Sequence, residues 1–111
     1  MEQNLNDMSN HIRNMITLKA TSLIGTDLRK IILFGSYARG DFTDDSDIDI
    51  AVLTESGENY LEKMSDISLD VMESDNAVVN FICIPFSEFQ KKKSWYPFYK
   101  NIDKEGIVWY G

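Results

Sequence analysis

The chain has 111 residues, 43% of them hydrophobic and 26% charged, which is enough apolar content for one core and too little length for two, so intrinsic disorder and a multidomain architecture are set aside. A formal net charge of -7 argues against sequence-independent nucleic-acid binding, because the field repels phosphate backbones, but it admits a nucleotide that arrives with a divalent cation. Cys83 is the only cysteine, which excludes an intramolecular disulfide and leaves an inert buried thiol as its simplest role; no apolar run reaches the roughly 18 residues of a membrane span and no signal-peptide pattern opens the sequence, so a cytoplasmic protein is expected.

In chain order, Leu5, Met8, Ile12, Met15, Ile16, Ala20, Leu23 and Ile24 recur at steps of three and four and predict an amphipathic helix within residues 1–27. KIILF then predicts a short strand buried on both faces and ended by Gly35, with a helical turn over Ser36 to Arg39. DIDIAVL predicts a second strand, with Ile48 and Ile50 on one face and Asp47 and Asp49 on the other. A helix is expected from Tyr60 to about Glu73, with Leu61, Met64, Ile67 or Ser68, and Val71 on one stripe. AVVNFICI, residues 77–84, predicts a third strand, and Ser87 with Gln90 stands at capping-box spacing for another helix. A last helix from about Ser94 to Glu105 is expected to stop at Gly106 through a positive φ, with IVWY closing as a small strand or packing as a tail. The expected organisation is one domain over residues 1–111: an N-terminal helix (1–27), strand, Gly-Ser turn and acidic strand (30–53), third strand (77–84), and C-terminal helices and tail (87–111).

The acidic face of the second strand demands an explanation. A carboxylate facing a core without a partner protonates or destabilises the fold by several kcal/mol, whereas one that holds a cation is stabilised in its charged form. Residues two apart on a strand have α-carbons roughly 6 to 7 Å apart, so the Asp47 and Asp49 carboxylates can converge on one or two magnesium ions at about 2.1 Å from each oxygen. Upstream, Gly35 lets backbone approach a ligand and Ser36 adds a hydroxyl beside amide groups at a helix start, donors suited to an anion. Phosphate cradle and metal pair together describe a magnesium-assisted nucleotide site. The alternative from these residues alone is a solvated turn over Asp44 to Asp47 with Asp49 on an exposed sheet face.

The stretch LFGSYARGDFTDDSDIDIAVL, with Gly35 and Ser36 separated from Asp47-Ile48-Asp49 by an interval of ten residues, resembles the signature of the nucleotidyltransferase superfamily that includes the palm of DNA polymerase beta. More narrowly it is similar to the minimal nucleotidyltransferases of bacteria and archaea, and the ending PFYKNIDKEGIVWYG resembles the close of the same domains. The resemblance implies an α/β (α+β) fold with a mixed sheet of about four strands flanked by helices. It also implies transfer of a nucleoside monophosphate from a nucleoside triphosphate, ATP first, with release of pyrophosphate. In that scheme Gly35 and Ser36 hold the triphosphate, Arg39 contacts phosphate or braces the loop by pairing with Asp41 or Asp45, and Asp47 and Asp49 ligate magnesium as the catalytic pair. It further implies a helical HEPN-type partner protein, adenylylated on tyrosine in an antitoxin role, and leaves self-association open.

Where the family carries a third carboxylate, on the strand beside the acidic pair, the polar candidate here is Asn80, read either as occupying that place or as a plain strand residue. An amide cannot accept the acceptor's proton. Two readings follow: an active transferase, and a catalytically weak nucleotide-binding or contact-only antitoxin module. Asp70, Glu73 and Asp75 read as solvated helix or turn residues, His11 as a polar surface residue, and Lys91-Lys92-Lys93 as a helix end against the macrodipole. The aromatics Trp95, Tyr96, Phe98, Tyr99, Trp109 and Tyr110 are read as core packing first and a partner surface second.

Overall fold

Apolar side chains one helical turn apart explain the first element. The structure is a computed structural model that describes residues 2–111, with side chains from Asn10 onward, so Leu5 and Met8 lie outside the described side chains. In helix α1 (Glu2–Ile24) the buried stripe is Ile12, Ile16, Ala20 and Ile24. Met15 is half-buried, and Leu23, expected on the stripe, is 42% exposed. The buried side chains keep a strict four-residue step, narrower than the predicted face, on the side of the helix that packs into the core.

Strand β1 (Leu28–Phe34) follows a short 3-10 turn, Gly25–Asp27, and a four-residue helix α2 (Ser36–Arg39) follows β1. Strand β2 (Ile48–Thr54), helix α3 (Leu61–Asp75), strand β3 (Val79–Pro85), helices α4 (Phe86–Lys92) and α5 (Pro97–Glu105), and strand β4 (Ile107–Tyr110) complete the chain. The strands lie in the order β3-β2-β1-β4. β1 is antiparallel to β2 and to β4, whereas β2 and β3 run parallel, the direction that a crossover helix, here α3, makes reachable. The mixed four-stranded sheet flanked by helices is the expected fold class.

The pleat divides the core in two. Ile31, Leu33, Ile48, Ile50 and Val52 pack with α1 and with Met64, Ile67 and Val71 of α3, while Ile32, Ala51, Leu53 and Ile84 pack with Phe89 of α4 and Ile102 of α5. Each of these side chains other than Ala51 contributes about 1.5 to 3 kcal/mol by leaving water. Leu61, predicted on the α3 stripe, is 40% exposed because it begins the helix rather than sitting within it. Asp49 has the parity of Ala51 and Leu53, so it belongs to the α4–α5 face. No helix among the described residues is long and apolar enough to cross a membrane.

Several local expectations are corrected. Asp47 precedes β2 rather than opening it, and α5 starts at Pro97, three residues later than predicted, because proline suits the first helical position. Ser87 lies inside α4, whose N-cap is Pro85 with no side-chain cap bond, so the Ser87–Gln90 spacing is no capping box. IVWY is a strand, edge-paired to β1. Gly106 has φ -68° and ψ 151°, an extended conformation open to any residue. Its glycine is required by contact instead: a Cβ there would strike the Ile102 carbonyl oxygen and come within 2.5 Å of Ile32 Cγ2. Gly106→Ala is therefore expected to lower stability by about 1 to 3 kcal/mol, the scale of an overpacked core, as a depressed melting temperature. An unchanged melting curve would show that β4 can shift away from α5 at no cost.

Candidate active site

The site begins where β1 ends. Gly35 has φ 75° and ψ -156°, a region open essentially to glycine, and this turn lifts α2 off the sheet. The Gly35 carbonyl accepts the amides of Ala38 and Arg39, both at 3.1 Å, and the Ser36 carbonyl accepts those of Gly40 and Asp41. A Cβ at Gly35 would lie well inside contact with Asp49 Oδ2. Glycine is needed here for conformation and for the close approach of backbone to carboxylate.

Two pairing registers then place the remaining groups. Across β1–β2, Phe34 stands opposite Asp49; across β2–β3, Asn80 stands opposite Asp49. The Asn80 Nδ2 donates to Asp47 Oδ2 at 2.9 Å. The structure thus brings Gly35, Asp47, Asp49 and Asn80 together, with Asn80 on the strand beside the acidic pair. Asp49 is half-buried and Asp47 exposed. Burial raises the Asp49 carboxyl pKa above its ordinary value, the neighbouring Asn80 amide opposes the rise, the Asp47 charge adds to it, and the Arg39 charge offsets part of it.

The loop between α2 and β2 is tied at both ends. Tyr37 stacks on Phe42 with centroids 4.3 Å apart and planes at 8°, and Ser46 Oγ accepts the Thr43 amide at 2.9 Å. The Tyr37 phenol is pushed above its usual range by burial first, then by the charges of Asp44 and Asp47. Arg39 pairs through Nε with Asp41 Oδ2 at 3.2 Å and through Nη1 with Glu105 Oε2 at 3.6 Å. Asp45 is not its partner. Glu105 carries α5 to the site, a contact that no local signal in the sequence marks.

Of the other candidates, Asp75 lines a cavity together with Asp47. Asp70 pairs with Lys19, and Asp75 with His11 at 3.0 Å, both across to α1; Glu73 is exposed. Lys92 pairs with Glu88 and Lys93 with Asp103, which makes the lysine run a braced helix end. Cys83 is half-buried, with its thiol pKa raised by that burial. The aromatic tail divides: Tyr99 and Trp109 pack on the two cores, while Trp95, Tyr96, Phe98 and Tyr110 are exposed. Core packing therefore accounts for only part of it. Among the described residues no three His, Cys, Asp or Glu side chains form a metal cage, so the chain offers a carboxylate pair rather than a complete cation shell.

Residues 18–110 match the family model of the nucleotidyltransferase domain. The chain belongs to this nucleotidyltransferase family. Among relatives of this nucleotidyltransferase, a candidate protein adenylyltransferase of Methanocaldococcus jannaschii is 40% identical over 83 residues, 75% of this chain and 79% of its own. Among solved structures, a chain from a toxin-antitoxin crystal structure with AMP-PNP aligns with TM-score 0.62 at 22% identity, over 89% of this chain and 73% of that one. A chain from the tri-AMPylated Shewanella oneidensis HEPN toxin in complex with MNT antitoxin aligns with TM-score 0.50 at 19% identity, over 89% and 72% of the two chains. At these identities the structural likenesses establish the nucleotidyltransferase fold alone. The matched span contains the Gly35 turn, the acidic pair and Asn80, so all of the groups assembled above lie inside the family domain.

Proposed function

We propose that this nucleotidyltransferase moves a nucleoside monophosphate, AMP first, from a magnesium-bound nucleoside triphosphate to a hydroxyl on a helical HEPN-type partner protein, releasing pyrophosphate. The observation that carries the reading is the contact of the Gly35 turn with Asp49, which gives a phosphate cradle and the acidic pair one common wall. The adenylyltransferase relative supports AMP as the group moved, and the HEPN toxin complex supports the partner class. The reading places the reaction in the cytoplasm, with its nucleotide pool.

The donor set fits magnesium. Asp47 and Asp49 present only oxygen, the ligand that hard cations take, and one or two carboxylates plus substrate phosphates is the usual magnesium arrangement. A cation also offsets the burial and the mutual repulsion that raise the Asp49 pKa. Magnesium bound there supplies charge neutralisation on the phosphates during displacement. The chain's own groups do the rest: Ser36 and the backbone beside Gly35 hold the triphosphate, Arg39 braces the turn through Asp41 and Glu105, and Asn80 fixes the Asp47 carboxylate by its hydrogen bond.

Asn80 also favours a second reading. It stands opposite Asp49, a register that supports reading it as the occupant of the third-acid position, and an amide there cannot take the acceptor's proton. A slow enzyme, or an antitoxin that acts by contact, accommodates that amide. The deciding experiment incubates the chain and a HEPN-type protein encoded beside it with α-labelled ATP, GTP, CTP or UTP and magnesium. Covalent label on the partner is expected, with ATP the best donor. Asn80→Asp is expected to raise the transfer rate by up to about 10²-fold, within the range of one general base, with little change in nucleotide affinity. Tight partner binding with no label from either protein would establish the contact-only reading.

A further inference from the structure

Next to the Gly35 turn, on the α5 side, lies a cavity of about 220 Å³. Its apolar wall is Phe34, Ile102 and Phe98; the two phenyl rings meet edge to face with centroids 5.8 Å apart, and Phe98 is 44% exposed. Its polar groups are Asn101 and Glu105, and it shares Gly35 and Arg39 with the cradle described above. The volume is below the roughly 300 to 1,000 Å³ of sites for drug-sized ligands, so it suits one fused ring system and not a whole nucleotide. An aromatic-walled slot that opens onto a phosphate cradle has the composition of a base-stacking site.

The polar groups restrict which base fits. Glu105 is engaged by Arg39, and Arg39 by both Glu105 and Asp41, so neither is free to read a base edge. Asn101 is exposed and makes no side-chain hydrogen bond among the described residues. An asparagine amide offers one donor and one acceptor side by side, which complements the amino group and adjacent ring nitrogen of adenine, whereas the paired acceptors of guanine call for arginine or lysine. Building on the nucleotidyltransferase reading, we infer that this cavity receives the nucleobase of the nucleotide and that Asn101 selects adenine.

The test measures, by calorimetry with magnesium, the affinity of the parent, Phe98→Ala and Asn101→Leu for ATP, GTP and inorganic tripolyphosphate. The parent is expected to bind ATP more tightly than either GTP or tripolyphosphate. Each variant is expected to weaken ATP about tenfold, the equivalent of about 1.4 kcal/mol, with tripolyphosphate unchanged, which also reports that the variant is folded. Asn101→Leu is further expected to erase the preference for ATP over GTP. A parent that binds tripolyphosphate as tightly as ATP, or variants that keep the ATP affinity and the ATP-to-GTP ratio, overturn the base cavity and leave the phosphate cradle standing. A parent that binds neither ATP nor tripolyphosphate overturns the nucleotidyltransferase reading and the cavity together.

Discussion

Asp49→Ala, and separately Asp47→Ala, is expected to reduce magnesium-dependent transfer by about 10³-fold or more, the several kcal/mol of charge stabilisation that a bound metal supplies, while leaving the protein folded. Neither acid supports the core. Asp47 is exposed, with Asn80 as its one side-chain hydrogen-bond partner among the described residues, and Asp49 is held with its pKa raised, first by burial and then by the charge of Asp47. The sign follows from linkage. A carboxyl whose pKa is higher in the folded than in the unfolded state imposes no penalty in acid, and its destabilisation appears as pH rises through that raised pKa. Asp49→Asn, which removes the charge and keeps the shape, is thus expected to melt at or above the parent near pH 7, with the gap closing as pH falls through the carboxylate range. Thermal melts across pH give the stability and labelled transfer gives the activity. A variant that transfers AMP as fast as the parent refutes the metal assignment, and one that unfolds refutes the separation of site from core.

Gly35→Ala is expected to be damaging in both respects. At φ 75° and ψ -156° a side chain costs about 1 to 3 kcal/mol of backbone strain, and the added Cβ must also displace the Asp49 carboxylate, which has β1 and β3 on either side. Relaxation of the turn would move Ser36 and the start of α2 away from the acidic pair. A misplacement of that order lowers transfer by about 10² even in molecules that remain folded. Gly40→Ala supplies the comparison: Gly40 also has positive φ, 86°, but a Cβ there meets nothing within 4 Å. It is expected to lose a fraction of the stability and to keep its transfer rate. Equal loss of activity in the two variants would mean that backbone strain, and not the approach of Gly35 to Asp49, governs the site.

The local sequence carried much of the site, and the reason is periodicity. Four apolar residues ended by Gly35 made β1 a buried strand, and the alternation in DIDIAVL put Asp49 on the face opposite Ile48 and Ile50, because a strand's side chains alternate whatever it pairs with. The Gly35–Ser36 turn and the start of the acidic strand were legible because both are short-range events, whereas the interval between them gained meaning only through its resemblance to the nucleotidyltransferase signature. Failures were also local where two causes of one residue look alike. Gly106 read as a helix terminator of positive φ, yet it is extended and small because Ile32 and Ile102 crowd it. Ser87 had the spacing of a cap, yet Pro85 takes that position.

Whether Asn80 faced Asp49 or another strand residue depended on the parallel register of β2 with β3, joined across α3. Shifting that register by one residue would turn Asn80 to the opposite face of the sheet, and the packing of Met64, Ile67 and Val71 that helps hold it is a long-range matter. The same holds for α5. Its pattern announces a helix, but that Phe98, Asn101 and Glu105 should border the Gly35 turn follows from β4 returning to pair with β1 and from Ile102 anchoring the helix beneath. The sequence by itself determined the first three strands, the Gly-Ser turn and the acidic pair, since these rest on backbone preference and alternation; only the tertiary structure decided that IVWY pairs as β4 and what stands around the pair, because register and helix docking minimise the energy of the whole core and leave no local mark.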